Sequence, residues 1–144
     1  MPNTRRRLLS IAVLGLLFVA PFAPAKAAEA YDPWPGLVQD IFANRPMNDG
    51  NGVISIEMPG RAEDAALVPV TLRSMLAPTD DRRIKTITLV IDQNPAPMAA
   101  KFTLGPDANV TAISTRVRVN NYTNVHAVAK LSAVSYTHLT LPTN

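Results

Sequence analysis

Few side chains in this 144-residue chain are suited to covalent or acid–base chemistry. It contains no cysteine, which excludes a thiol nucleophile, a thiolate metal site and a redox pair in the chain as it stands. His126 is the one histidine ahead of the closing stretch Val134–Asn144. In "NVHAVAKLS" it alternates with Val125 and Ala127, so it is expected on the more polar face of a strand, solvated or locally satisfied. A single histidine with no second histidine or thiolate at ligand spacing makes no zinc site. Asp80–Asp81 and Glu63–Asp64 are adjacent carboxylates in turn-rich segments. Adjacent side chains diverge, so neither pair reads as an acid/base dyad. Ser114 has no histidine that the sequence places to activate it, and neither a Gly-x-Ser-x-Gly elbow nor a glycine-rich phosphate loop is present. Arg116 and Arg118 share a strand face with Ser114. They could hold an anion, although a solvated outer face is the simpler reading. The residues therefore argue against an enzyme: no catalytic, cofactor-binding or metal-binding residue is assigned, and no cofactor is expected.

The elements that would carry these residues are mostly strands. "YDPWPGLVQDIFANRP" places Trp34, Leu37, Val38, Ile41 and Phe42 on one helical stripe. Asp32 can cap this helix, and Pro46 stands just past its end. The stripe is expected to dock on the body of the fold. The apolar period then changes to two. "GVISIEMP", "LVPVTLRSM", "RRIKTITLVID", "PMAAKFTLG", "VTAISTRVRVN" and "YTNVHAVAKLS" read as six short strands separated by "NDGNG", "APTDD" and "GPDAN". Pro69 withholds a ladder donor, so its strand is expected at an edge or a bulge. The segment through Ile84, Ile87, Leu89, Val90 and Ile91 is apolar on both faces, as a central strand would be. The fold expected is all-β: an immunoglobulin-like antiparallel sandwich with one short N-terminal helix. With no linker or repeat visible, a single folded domain is expected.

The chain opens "MPNTRRRLLSIAVLGLLFVAPFAPAKAAEA": three arginines, an apolar run from Leu8 to Phe22, then small residues in an A-x-A pattern. This is the layout of an export signal over residues 1–30, with "TRRRLL" suggesting the twin-arginine route; a retained anchor is the alternative. Residues 31–132 hold ten Lys/Arg and ten Asp/Glu, so the formal +3 of the chain arises outside this segment. A balanced domain gives no electrostatic case for nucleic acid. After signal cleavage it gives none for membrane either.

Three blocks, "VISIEMPGRAEDAALVPVTLR", "IKTITLVIDQNPAPMAAKFTLGPDA" and "ISTRVRVNNYTNVHAVAKLS", together resemble the SoxY carrier of bacterial sulfur oxidation. With the "DPWPGLVQDIF" opening they look closer to one branch, the SoxYZ-like fused carriers associated with quinoprotein dehydrogenases. The resemblance covers residues 31–132. It implies a periplasmic carrier, not a catalyst, that holds sulfur intermediates on the cysteine of a Gly-Gly-Cys arm at its C-terminal end. It also implies a SoxZ-like partner, fused downstream or separate, and periplasmic Sox-type or quinoprotein dehydrogenase enzymes that act on the arm. A thiolate is the nucleophile such chemistry needs, and flanking glycines let it enter a narrow site. Because no Gly-Gly-Cys is present, no functional residue of the family can be carried over. Either this is a homologue without the carrier thiol, for instance a binding or scaffold module accessory to a dehydrogenase, or the arm lies beyond the chain.

The last residues bear on that choice. "AVSYTHLTLPTN" (residues 133–144) is uncharged and follows the last strand without a turn signal. It resembles a reading frame through the transposase adapter of short-read sequencing libraries: GTC TCT TAT ACA CAT CTG ACG CTG CCG ACG encodes Val134 to Thr143. Residues 133–144 are accordingly expected to be non-native, like any cloning scar, with the carrier domain spanning 31–132 and incomplete at its C-terminus. A sandwich lacking its last strands has an unpaired edge, and this Thr/Leu-rich tail is expected to lie along it.

Overall fold

Alternating apolar residues become strands where one face can be covered, and all six of the expected segments do so. The computed structural model describes residues 31–144 except Asn109, Val134 and Asn144; the export signal expected over residues 1–30 lies outside these described residues. The elements are α1 (Trp34–Phe42), β1 (Met47–Asp49), β2 (Ile54–Glu57), β3 (Val68–Ser74), β4 (Ile84–Ile91), β5 (Met98–Thr103), β6 (Ala112–Val117), β7 (Asn124–Leu131) and β8 (Tyr136–Pro142). They form a five-stranded sheet in the order β1-β8-β7-β4-β5 and a three-stranded sheet in the order β2-β3-β6. The architecture is an all-β sandwich with one short helix. No helix among the described residues is long and apolar enough to cross a membrane.

The core lies between the sheets. Ile87, Leu89 and Ile91 of β4 and Val125, Ala127 and Ala129 of β7 meet Ile54, Ile56, Val70 and Leu72 of the smaller sheet, all buried. Each of the Ile, Leu and Val side chains contributes about 1.5–3 kcal/mol by leaving water. β4 has β7 on one side and β5 on the other. It is also buried on both faces from Ile87 onward, as its sequence implied.

Its second face needs a cover, and α1 supplies one. Phe42 packs on Val90 and Val128 in a separate apolar cluster joined by Trp34, Leu37, Ile41, Met47 and Tyr136. The expected stripe is thus the docking face. At the helix start the Trp34 N–H donates to Asp32 Oδ1 at 3.0 Å. At its end Ala43 turns left-handed (φ 53°) and its N–H donates to Gln39 O at 3.0 Å, while Asn44 N–H donates to Val38 O at 3.3 Å. These bonds occupy carbonyls that a helix end otherwise leaves open.

Pro69 requires a correction. It stands in β3, the middle strand of the smaller sheet, and not in an edge strand. The reason it fits is local. β2 ends at Glu57 opposite Thr71, so Pro69 lies beyond the last β2–β3 pair and is matched only with Arg116 of β6. The middle strand is an edge at that point, where a missing donor costs nothing.

Two strands were not among the six expected. β1 is three residues long, in a segment rich in turn formers. β8 is the closing stretch itself, antiparallel to β7 from Lys130↔Tyr136 to Asn124↔Pro142 and parallel to β1 through Met47↔Tyr136. The tail lies along the open edge, as expected.

Candidate functional site

Because Val125, Ala127 and Ala129 of β7 face the core, His126, Val128 and Lys130 face the other way. That outer face is where α1 lies. His126 is therefore not a surface histidine: it is only 2% exposed, and the expectation of a solvated face is overturned by the helix that covers it. The imidazole is stacked on the Trp34 indole, with centroids 3.6 Å apart and planes 9° from parallel.

Both ring nitrogens are engaged. Nε2 is 3.1 Å from Asp92 Oδ2 and 3.0 Å from Asp92 Oδ1, and only the former is a hydrogen bond. Nδ1 is 2.9 Å from the Thr140 hydroxyl of β8. Asp92 follows the last residue of β4 and is itself buried, at 6% exposure. A neutral imidazole satisfies this set, with Nε2–H donating to the carboxylate and Nδ1 accepting from Thr140. Burial depresses the His126 pKa, and the Asp92 carboxylate only partly offsets that. Hydroxyl, imidazole and carboxylate in line are the parts of a nucleophilic relay. Here, however, the ring is sealed beneath an indole, so the set acts as a clamp joining α1, β4, β7 and β8.

The other chemically capable residues stay apart from this cluster. Ser114 Oγ is 3.0 Å from Thr71 Oγ1 across the β3–β6 pair, and Arg118 Nε donates to Asn120 Oδ1 at 3.0 Å. With Arg116 exposed, this is the solvated outer face of the smaller sheet. Asp80 accepts from the Arg82 guanidinium at 2.7 and 3.0 Å, and these bonds hold its carboxyl down at about 2. Asp64 Oδ1 accepts the Ala66 N–H at 2.8 Å. Both acidic pairs build turns. Asp92 and Trp34 were missed as partners of His126. The signal for them was the helix stripe, which had to dock on some apolar face, together with the doubly apolar β4 that ends beside Asp92.

The seat of β8 is the other notable place. Gly50 N–H donates to His138 O at 2.9 Å, and a Cβ at Gly50 would stand 2.8 Å from that same oxygen. Asn48 Nδ2 donates to Ser135 Oγ at 2.9 Å. Yet two buried polar atoms of β8, Thr137 Oγ1 and His138 Nδ1, have no hydrogen-bond partner; among the described residues Asp92 Oδ1 is the third such atom.

Residues 38–137 match the family model described as "Sulfur oxidation protein SoxY". The chain belongs to the SoxY family. The match begins inside α1, takes in every strand from β1 to β7 and ends in β8. A SoxY-family chain is a carrier-type protein of sulfur oxidation, not a catalyst. No curated protein matches the sequence. Among solved structures it is similar to a superoxide reductase (neelaredoxin) from Ignicoccus hospitalis, with TM-score 0.54 and 13% identity over 62% of this chain and 77% of that one. A putative superoxide reductase from Thermotoga maritima gives TM-score 0.53 and 14% identity over 67% and 90%. The neelaredoxin of Archaeoglobus fulgidus, in a reduced form, gives 0.51 and 13% over 71% and 98%. At such identity the likeness is one of fold alone, and it agrees with the sandwich described above.

Proposed function

We propose that this SoxY-family chain is the N-terminal part of a periplasmic SoxYZ-like carrier, exported by the signal of residues 1–30. Its sulfur intermediates would be held on a Gly-Gly-Cys arm encoded beyond Ser132. Residues 133–144 are then an adapter-derived substitute for the natural continuation. The carrier works with a SoxZ-like domain, and periplasmic Sox-type or quinoprotein dehydrogenase enzymes act on the arm. The observation that carries the reading is the meeting of a family match with a chain that has no thiol. The misfit of the closing strand supports it, since two of its buried polar atoms are unpaired. Native interiors pair the large majority of such atoms, and two of the three unpaired among the described residues fall in this one strand.

The test is a long-read sequence of the source gene across codon 132 to its stop. A frame running into Gly-Gly-Cys, whose full product then gains the mass of a bound sulfur species on that cysteine, establishes the carrier. A genomic frame that encodes "VSYTHLTLPTN" and stops refutes both the adapter reading and the carrier thiol. The protein would then be an immunoglobulin-like scaffold accessory to a periplasmic dehydrogenase.

A further inference from the structure

The outer face of the five-stranded sheet carries a second feature, beside the C-terminal end of α1. A cavity of about 330 Å³ is lined there by Arg45, Lys101 and Lys130 together with Thr86 and Thr88, over a floor that includes Val128. The register explains the convergence. Lys101 of β5 is directly opposite Thr88 of β4, and Lys130 of β7 is opposite Thr86. Directly paired residues stand about 4.5–5.5 Å apart at Cβ, so each ammonium stem rises beside a hydroxyl. Arg45 arrives from the loop after α1, and it and Lys130 flank one ring, that of Tyr136, at 5.6 and 5.8 Å.

No carboxylate lines this cavity, and among the described residues none of the three cations has one within ion-pair distance. Arg73 pairs with Glu57 and Arg82 with Asp80, whereas Arg45, Lys101 and Lys130 all line one cavity. At the helix end Ala43 and Asn44 N–H groups already bond the carbonyls of Gln39 and Val38, and Arg45 N–H that of Phe42. Unpaired like charges around one concavity repel, and an anion seated among them removes that cost while accepting hydrogen bonds from ammonium, guanidinium and hydroxyl groups. The volume suits a small inorganic ion and excludes nothing as compact as a tetrahedral oxyanion.

We propose that the cavity between the end of α1 and the outer face of β4, β5 and β7 binds a small oxyanion, with Arg45, Lys101 and Lys130 as its cations and Thr86 and Thr88 as its hydroxyl donors. This goes beyond the carrier reading and does not depend on the arm: every proposed ligand precedes Ser132, and Tyr136 of β8 contributes only a ring to the wall. The experiment is calorimetric titration of the whole chain with sodium sulfate and with sodium thiosulfate, in sodium chloride adjusted to constant ionic strength. Melting temperature alone is unsuitable, since sulfate raises it for most folds by exclusion from their surfaces. Saturable binding of one ion per chain is expected, weakening as chloride rises. The Lys101→Gln/Lys130→Gln pair should lower affinity by at least about tenfold. Arg73→Gln/Arg116→Gln, on the opposite sheet, should leave it unchanged. All these side chains except Lys130 are exposed, and Lys130 is half-buried, so the variants should fold; Arg45→Gln alone provides a milder second probe. Heat no greater than that of chloride at equal ionic strength, or equal affinity in the two double variants, overturns the site.

Discussion

Thr137→Val should make the chain more stable, an unusual outcome for a change at a position only 4% exposed. Thr137 is opposite Ala129, a core residue, so its side chain enters the space between the sheets. There its hydroxyl has no partner. An unpaired buried hydroxyl costs about 1–3 kcal/mol, while valine keeps the shape and the β-branch that a strand favours. Exchanging one for the other should therefore stabilise by about 1–2 kcal/mol. For a domain of this size that is a rise in Tm of roughly 4–10 °C. Urea denaturation followed through Trp34, the only tryptophan, reads it directly. The midpoint should rise while the slope stays constant. Thr71→Val serves as the control: its hydroxyl meets Ser114 Oγ on the outer face, and the change should be neutral or mildly destabilising. A neutral or lower midpoint for Thr137→Val would show that the hydroxyl is satisfied, and the misfit argument for β8 would lose its main support.

Two further outcomes follow from the same region. Gly50→Ala places a methyl 2.8 Å from the His138 carbonyl oxygen and must push β8 away from β1. A loss of about 1–3 kcal/mol is expected, and an unchanged urea midpoint would refute the close approach. The second concerns pH. Burial holds the His126 pKa below its ordinary 6.5 against the raising effect of Asp92, with His138 lowering it further and Asp32 opposing. The folded state thus takes up the proton less readily than the unfolded chain. Stability from this group is complete above about pH 6.5 and falls as the pH drops below it. Urea midpoints read through Trp34 should decline between pH 7 and 5, a window largely above carboxylate titration, and the decline should shrink in His126→Gln. A flat profile, or the same decline in the variant, refutes the sign.

How much of this was legible in the sequence depends on whether a residue's environment is set by its own strand or by a distant element. Alternation in β2 to β7 and the stripe of α1 are local, and each appeared where the pattern put it. The face of His126 was also read correctly, as the one opposite Val125 and Ala127. What that face touches was not, because alternation reports direction and not cover. Only the docking of α1, more than eighty residues earlier in the chain, buries the ring. Pro69 shows the same limit: a missing donor is a fact about one residue, but whether it matters depends on where β2 stops. The cluster of Arg45, Lys101 and Lys130 was invisible for a like reason, since these residues come from three elements and meet only through the register of β5, β4 and β7. β1 is too short to show a period.

The seat of β8 separates two requirements placed on a strand. Backbone pairing is indifferent to sequence, and any segment able to extend can satisfy the free edge of β7. Residues ahead of the tail are shaped for such a partner: Gly50 leaves room for a passing carbonyl and donates to it. His126 also turns Nδ1 toward β8, where the Thr140 hydroxyl supplies its hydrogen bond at 2.9 Å. Side-chain satisfaction is a stricter condition. Thr137 puts a hydroxyl among aliphatic groups and His138 buries a ring nitrogen with nothing to bond. A strand selected with the rest of the sandwich would carry an apolar residue at the first of these positions, and at the second either an apolar residue or a polar one with a partner. The edge of β7 receives β8, which meets the backbone condition and leaves two buried side-chain atoms unpaired. That pattern is what the proposal of a replaced continuation after Ser132 expects, and Thr137→Val tests it.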